Sequence, residues 1–335
     1  MKRIISLLLA LALTLSLTAC TAPAEKADGG KLQIVTTLFP YYDFARAIAQ
    51  DRADVTLLLS PGREAHSFEP TPLDAVTISE ADVFLYNGGE GEYWVESMLD
   101  AAGEHIAIAS RMMDYVDALN EEYVEGMQGA DGHDHDHEHG SHDDHDHDHE
   151  EDEHVSDEIE YDEHIWTSPK NAVVLCRAVC DAICRADAEN AAFYRANCEN
   201  YCAQLEDLDA RFAALCESAP RRLLIFADRF PMLYFCREYG LDYRAAFHGC
   251  SGDTEPSLAT IKFLIDKVED ENIPVVYTID FGTKKVAAVV SECTGAAIET
   301  LYSMQTVSRA DFDAGETYLT LMERNFEALR KGLNA

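Results

Sequence analysis

The chain has 335 residues and a formal net charge of −36 at pH 7, because 62 Asp and Glu face only 26 Lys and Arg. An acidic surface of this kind repels phosphates and anionic headgroups, which excludes nucleic-acid binding through a basic face. Hydrophobic residues make up 47% of the chain, enough to bury a core. At roughly 150 residues per domain, this length predicts two domains.

The first 20 residues predict an export signal. Lys2 and Arg3 precede an apolar run over residues 4–19 that is too short for a comfortable membrane span. The run ends in Leu-Thr-Ala-Cys at residues 17–20, which resembles the lipobox of bacterial lipoproteins. This resemblance implies that Cys20 carries diacylglycerol and becomes the first mature residue; a plain secretory signal is the alternative. Residues 21–31 then predict a flexible tether on the outside of the membrane.

Short β-rich runs separated by helix-length segments occur in two sets along the chain. Such alternation favours a mainly parallel sheet covered by helices, so we expect an α/β fold with two lobes, residues 32–187 and 219–335. The β-rich runs are residues 32–37, 55–59 and 83–86 in the first lobe, and residues 223–226, 243–247, 275–278 and 298–301 in the second.

One long helix is predicted between the lobes, over residues 188–218. Tyr201, Leu205, Leu208, Phe212 and Leu215 recur at intervals of four and three, which places them on one helical face. We expect this helix to be a rigid linker that restricts hinge motion. An ordinary core helix within one domain is the alternative.

A histidine-rich segment, residues 131–154, interrupts the first lobe. It contains twelve Asp or Glu, no Lys or Arg and almost nothing to bury, so it predicts a disordered loop. Imidazole is a favoured ligand of zinc, so the loop is interpreted as an auxiliary zinc collector. A merely solubilising loop and a pH sensor are the alternatives. Its histidines are His133, His135, His137, His139, His142, His145, His147, His149 and His154.

Nine cysteines follow Cys20. Those at 176, 180 and 184 share one helical face, as do those at 198 and 202, and neighbours on one helix rarely reach disulfide geometry. We therefore expect small buried thiols, with one or two disulfides as the alternative. No Cys-x-x-Cys pair supports a cysteine metal site.

Two isolated histidines lie at the loop ends of predicted α/β elements. Open α/β sheets usually bind their ligands at such loops. His66 lies in Pro-Gly-Arg-Glu-Ala-His-Ser-Phe-Glu-Pro-Thr-Pro, residues 61–72. His164 lies in Tyr-Asp-Glu-His-Ile-Trp-Thr-Ser-Pro-Lys-Asn, residues 161–171. Singly, either histidine also fits a structural role.

Both segments resemble those of the metal-binding solute-binding proteins of bacterial ABC transporters, in particular the zinc-specific lipoproteins. The shared patterns are Pro-Gly…His-Ser-[Tyr/Phe]-Glu-Pro-[Thr/Ser] and Asp-x-His-[Ile/Val]-Trp-x-[Ser/Asp]-Pro. Residues 36–40 (Thr-Thr-Leu-Phe-Pro), 239–241 (Tyr-Gly-Leu) and 318–322 extend the resemblance over nearly the whole mature chain. It implies that His66 and His164 are zinc ligands, and that an ABC permease with its ATPase is the partner of a monomeric, lipid-anchored protein.

The second lobe departs from that family pattern. Where relatives carry His or Glu before the aromatic segment, this chain has Asp228, with one residue of uncertainty in register. A salt bridge of Asp228, for example to Arg229, is the alternative. The acid that relatives place near residues 301–305 is absent, so the fourth ligand is water, Glu255 or His248, of which His248 also fits an incidental loop residue.

These observations predict a zinc-capturing subunit that binds Zn²⁺ between two lobes and delivers it to the permease. A zinc-storage or metallochaperone lipoprotein acting through its histidine-rich segment, an adhesin-like surface protein, and a manganese-specific homologue are the alternatives. The histidines favour zinc, because manganese prefers oxygen-rich sites. No His-Glu-x-x-His helix, Gly-x-Ser-x-Gly elbow or phosphate-binding glycine loop is present in the sequence, so we expect no enzyme.

Overall fold

The computed structural model describes residues 30–63, 68–103, 106–127, 160–249 and 255–334. The predicted lipid site at Cys20, the metal ligand at His66 and the histidine-rich segment lie outside the described residues. Within the described ranges, no helix is long and apolar enough to cross a membrane.

The first lobe is built on a four-stranded parallel sheet in the order β2-β1-β3-β4. Its strands are β1 (Leu32–Thr36), β2 (Ala53–Leu57), β3 (Val83–Tyr86) and β4 (Ile108–Arg111), and its helices are α1 (Phe39–Ala49), α2 (Pro72–Ser79) and α3 (Trp94–Ala102). The start of α2 is set by a capping box, in which the Thr71 hydroxyl accepts from the Asp74 N–H and the Asp74 carboxylate accepts from the Thr71 N–H.

Two helices connect the lobes. Helix α4 (Pro169–Ala186) begins at the Ser168 cap, and a single 3₁₀ turn (Ala188–Asn190) leads from it into α5 (Ala191–Ser218). The 28 residues of α5 correspond to a length of about 42 Å. The predicted long helix is therefore confirmed. It packs against α4 and α1, and Phe212 of its apolar stripe packs against Phe235 of the second lobe.

The second lobe repeats the topology of the first, with a parallel sheet in the order β6-β5-β7-β8. Its strands are β5 (Leu223–Phe230), β6 (Asp242–His248), β7 (Val275–Ile279) and β8 (Ala297–Leu301). Its helices are α6 (Leu233–Tyr239), α7 (Leu258–Asp270), α8 (Lys285–Thr294), α9 (Arg309–Ala314) and α10 (Tyr318–Leu333). The predicted fold of two α/β lobes and one long connecting helix is confirmed.

Three strands differ from the prediction by two residues or more. Strand β2 begins and ends two residues before the predicted run 55–59. Strand β4 is missing from the predicted set, because its four residues, Ile-Ala-Ser-Arg, give no apolar run. Strand β5 continues four residues beyond the predicted end, with a break in register between Phe226 and Arg229. The polar pair Asp228-Arg229 ends the apolar pattern there but not the strand. The irregularity lies near the carboxyl end of β5, where Arg229 lines a narrow cavity together with His164.

The segment around His164 is held against the second lobe by three buried hydrogen bonds. The Trp166 indole N–H donates to the Ser303 carbonyl at 2.7 Å, and the Tyr318 hydroxyl donates to the Trp166 carbonyl at 2.7 Å. The Tyr234 hydroxyl donates to the Asp162 carbonyl at 2.8 Å. The histidine motif therefore sits at the junction of the two lobes.

Candidate metal centre

His164 occupies the turn that leads into α4, and its side chain is almost wholly buried, at 2% exposure. Pro169 favours a helix start, because proline fits the first helical position and the Ser168 hydroxyl accepts from the Asn171 N–H. The 3₁₀ turn Ile165–Thr167 and the buried ring of Trp166 then fix where the imidazole lies.

The Asp162 carboxylate orients the His164 ring. Its Oδ1 lies 3.1 Å from His164 Nδ1 and accepts the His164 backbone N–H at 2.8 Å. A metal-ligating histidine usually donates its second ring N–H to a carboxylate in this way, which sets the tautomer and the ring orientation. His164 would therefore offer Nε2 to a metal.

The electrostatic surroundings of His164 favour positive charge. Burial alone would lower its pKa, but the charge and hydrogen bond of Asp162, together with the charges of Glu163 and Glu121, outweigh burial and raise the pKa above its ordinary value of 6.5. The same negative charges stabilise a bound cation, so protons and metal ions compete for this ring.

A second histidine shows the same arrangement on the opposite lobe. His248, the last residue of β6, directs Nδ1 to Oε2 of Glu121, and its ring lies 5.1 Å from the ring of Tyr123. The Glu121 side chain is 4% exposed and that of His248 is 20% exposed. The adjoining Gly249 backs directly onto the His164 ring, where an added Cβ would lie 3.0 Å from Cε1. The two carboxylate-backed histidines therefore belong to one junction.

An acidic cavity of about 400 Å³ opens beside these residues. Its wall includes five glutamates and His248, and no lysine or arginine is among its described lining residues. Phe68 and Glu69 in this wall directly follow the segment that contains His66. A cleft lined by one sign of charge concentrates the opposite ion, so the cavity favours entry of cations. The lining residues are Phe68, Glu69, Glu90, Gly91, Tyr93, Glu121, Glu160, Tyr161, Glu163 and His248.

Asp228, the predicted third ligand, has its carboxylate engaged in the second lobe. Oδ1 accepts the Arg229 N–H at 2.9 Å and Oδ2 accepts the Ile279 N–H at 3.3 Å. The same group packs so closely on Gly282 that a Cβ there would lie 1.7 Å from Oδ2. A narrow cavity beside His164 is lined by Arg229 but not by Asp228. Asp228 as a ligand stays a prediction.

The other predicted fourth ligand, Glu255, is at the surface. Its Oε1 lies 3.1 Å from Lys285 Nζ, and the two side chains are 78% and 71% exposed. Glu255 is absent from the described lining of the acidic cavity and of the cavity beside His164. It too stays a prediction, and the structure shows it as half of an exposed ion pair.

Sequence reasoning missed the supporting carboxylates. Asp162 was detectable, since it stands two residues before His164 inside the quoted motif. Glu121 gave no local signal, because it lies 127 residues from the histidine that it contacts. Only the packing of the two lobes brings that pair together.

Comparison with known proteins identifies the family of this chain. The family model described as zinc-uptake complex component A, periplasmic (ZnuA), matches residues 34–332. The chain belongs to the ZnuA family. The high-affinity zinc uptake system protein ZnuA of Bacillus subtilis is 31% identical over 316 residues, covering 93% of this chain and 91% of that protein. The zinc-binding lipoprotein AdcA of Streptococcus pneumoniae is 30% identical over 331 residues, which is 99% of this chain but 61% of AdcA.

Two solved structures share the fold of this chain. The Zn(II)-bound ZnuA-like domain of Streptococcus pneumoniae AdcA superposes with a TM-score of 0.71 at 25% identity, over 91% of this chain and 100% of that domain. The metal-dependent lipoprotein YcdH of Bacillus subtilis gives a TM-score of 0.72 at 29% identity, over 90% and 100%.

Family membership confirms the predicted class of protein. ZnuA-type chains are solute-binding components of ABC zinc-uptake systems and not enzymes. This chain is therefore an extracytoplasmic component that works with an ABC permease and its ATPase, with zinc as the transported ion.

Proposed function

We propose that this protein captures one Zn²⁺ at the junction of its lobes, beside the acidic cavity, with His66 and His164 as the first-lobe ligands. One observation carries the proposal: His164 is buried, with Nδ1 held by Asp162, and it lies at the lobe junction beside a cavity lined by five glutamates. Zinc is commonly bound by neutral imidazole nitrogens whose second ring nitrogen donates to a carboxylate.

The second-lobe ligand in this proposal is His248. Its Nδ1 is held by the Glu121 carboxylate, as that of His164 is by Asp162, and it lines the acidic cavity. Asp228 remains the competing candidate. To bind zinc it would have to share or give up its hydrogen bonds to the Arg229 and Ile279 amides, and leaving a buried N–H without a partner costs about 1–3 kcal/mol.

The remaining parts of the proposal concern anchoring and collection. Lipid at Cys20 would hold a monomer at the membrane through the tether, and the lipoprotein named among the relatives supports this reading. The histidine-rich segment would gather zinc before transfer to the acidic cavity. Its nine imidazoles in one flexible chain support several exchangeable ions of modest affinity.

Competitive zinc titration of the protein from Thr21 onward tests the ligand set. We expect the His66→Ala, His164→Ala double variant to lose the tight site, and His248→Gln to weaken it about tenfold or more, as removal of a metal ligand or its support does. Glu255→Gln tests the alternative fourth ligand and should bind as the parent does, because that carboxylate is paired with Lys285 at the surface. An unchanged zinc affinity in the double variant would refute the assignment of His66 and His164 as ligands. Weakening by Asp228→Asn, with none by His248→Gln, would return the third ligand to Asp228.

Zinc storage through the histidine-rich segment is the second candidate, and the nine histidines of that segment favour it. Deletion of residues 131–154 separates the two functions. A capture subunit keeps one tight zinc equivalent, whereas a storage protein loses nearly all of its metal. The same titration with Mn²⁺ tests the manganese alternative, since a site of two or three imidazoles should prefer zinc strongly.

A further inference from the structure

A group of buried thiols lies between α4 and α5, and none of them lines either cavity at the lobe junction. Five cysteines on the two helices face one another, and each is 6% exposed or less. They are Cys176, Cys180 and Cys184 on α4, and Cys198 and Cys202 on α5. All five are free thiols, and no disulfide joins any of the eight cysteines that the structure describes.

The helices run antiparallel, which brings cysteines distant in sequence together. Cys184 donates to the Ala191 carbonyl near the turn, Cys198 to the Cys176 carbonyl further along, and Cys202 to the Val173 carbonyl beyond it. Spacing by four residues on each helix then stacks the thiols along one seam. A Cys-x-x-Cys search misses this pattern because cysteines that meet across the two helices are far apart in the chain, as Cys176 and Cys198 are at 22 residues.

Three of these thiols have the spacing of metal ligands. The Sγ atoms of Cys176, Cys198 and Cys202, here called the thiol cluster, all lie within 4.8 Å of one another. Cys198 and Cys202 Sγ are 3.8 Å apart. A Zn–S bond of about 2.3 Å places sulfurs about 3.8 Å apart in a tetrahedral site and about 4.0 Å apart in a trigonal one. Among the described residues, no other set of three Cys, His, Asp or Glu donors is this close.

We propose that the thiol cluster is a second metal site, which takes a thiophilic closed-shell ion, Zn²⁺ or Cu⁺, and ties α4 to α5. Loading breaks three S–H bonds, forms three metal–sulfur bonds and releases three protons to solvent, with no change of oxidation state. Cys180 stands one turn from Cys176 on the same face of α4 and is the candidate for a fourth sulfur when the ion is zinc, in which case a fourth S–H proton is released. Thiolates select such soft ions over Mg²⁺, Ca²⁺ and Mn²⁺.

The site differs in kind from the capture site. A buried, fully protein-ligated ion does not exchange readily, and such sites stabilise a fold. Here it would stiffen the helix pair that connects the lobes. The inference does not depend on which residues capture the transported zinc, because the two sites share no side chain.

The test uses a signal that histidine and carboxylate ligands do not give. The full mature protein is refolded under reductant and without oxygen with enough Co²⁺ or Cd²⁺, as zinc probes, to fill the capture site and the histidine-rich segment as well, and the thiolate-to-metal charge-transfer band is recorded. We expect the band in the parent, its loss in Cys198→Ala, and its retention in Cys216→Ala, a buried cysteine on the same helix α5. Circular dichroism and competitive zinc titration establish that Cys198→Ala folds and keeps the capture site.

Parallel refolding with Zn²⁺ and with Cu⁺, followed by dialysis and metal analysis, distinguishes the two ions. The ion that the site prefers is the one retained at one equivalent by the thiol cluster. A retained equivalent that depends on Cys198 supports the site. Three outcomes would overturn it: a natively folded parent without the band, a band that survives in Cys198→Ala, or a disulfide within the cluster in protein purified without reductant. Either of the first two outcomes would mean that the cysteines are small buried apolar residues. A disulfide would mean that they link the helices covalently.

Discussion

Replacing Asp162 by asparagine separates the charge behind His164 from the hydrogen bond that orients it. The amide oxygen of the new side chain can still accept the His164 backbone N–H, which now meets Asp162 Oδ1 at 2.8 Å, and it can accept from Nδ1, now 3.1 Å away. The negative charge is lost. Removing a carboxylate that supports a metal-bound histidine typically weakens metal binding about 10- to 100-fold, or about 1.4–2.7 kcal/mol. We expect this loss of zinc affinity at pH 8.

The loss should shrink on acidification. Burial lowers the pKa of His164, but Asp162, Glu163 and Glu121 raise it above 6.5 overall, and Asp162 contributes most to the rise. Zinc binding must displace the proton from this ring, so affinity in the parent begins to fall at a higher pH than in the variant. The two affinity curves therefore converge between pH 8 and pH 5.

Competitive titration with a chelator at a series of pH values measures both effects. Asp209→Asn is the matched control, since Asp209 accepts a hydrogen bond from Tyr239 at 2.8 Å and lines neither cavity at the junction. Equal affinities for the parent and Asp162→Asn at pH 8, or a difference that widens as the pH falls, would refute the assignment of His164 Nε2 as a zinc ligand backed by Asp162.

Three further substitutions test the structure itself, each by urea denaturation of the metal-free protein. Burial raises the pKa of Glu92 from 4.5 to about 7. The protonated side chain therefore contributes fully to stability below pH 4.5, and this contribution is lost as the pH rises through 7. The free energy of unfolding of the parent should fall by at most about 3 kcal/mol over that interval, and Glu92→Gln should remove this fall. Trp166→Phe leaves the Ser303 carbonyl without its donor and should cost about 1–3 kcal/mol. Gly282→Ala places Cβ against the Asp228 carboxylate and should cost about 1–3 kcal/mol through overpacking.

Matched variants make these measurements specific. Glu80→Gln, which removes an exposed carboxylate at the end of α2, is the control for Glu92→Gln. Trp94→Phe removes an indole N–H that has no hydrogen-bond partner within the described ranges, so it should cost less than Trp166→Phe. Gly30→Ala adds a methyl group to open space and should be nearly neutral. A Gly282→Ala protein as stable as the Gly30→Ala protein would contradict the close packing seen at Asp228.

The sheets and the long helix were readable in the sequence because their signals are local. Parallel strands buried on both faces give short apolar runs, and one stripe of apolar residues at helical spacing marks α5. His164 was also found locally, since the cap, the proline and the tryptophan that place it are within five residues. Where a polar pair sits inside a strand, as Asp228-Arg229 does in β5, the local signal stops too early.

The contacts that set the chemistry of the sites depend on the tertiary structure. Glu121 reaches His248 across 127 residues. The thiol cluster joins Cys176 on one helix to Cys198, 22 residues later, and Cys202 on the other. No propensity or spacing encodes such pairs, because they arise only when buried apolar faces force the lobes and helices together. Composition and local pattern thus determine which residues can hold a metal, and the packing of the lobes decides which of them meet.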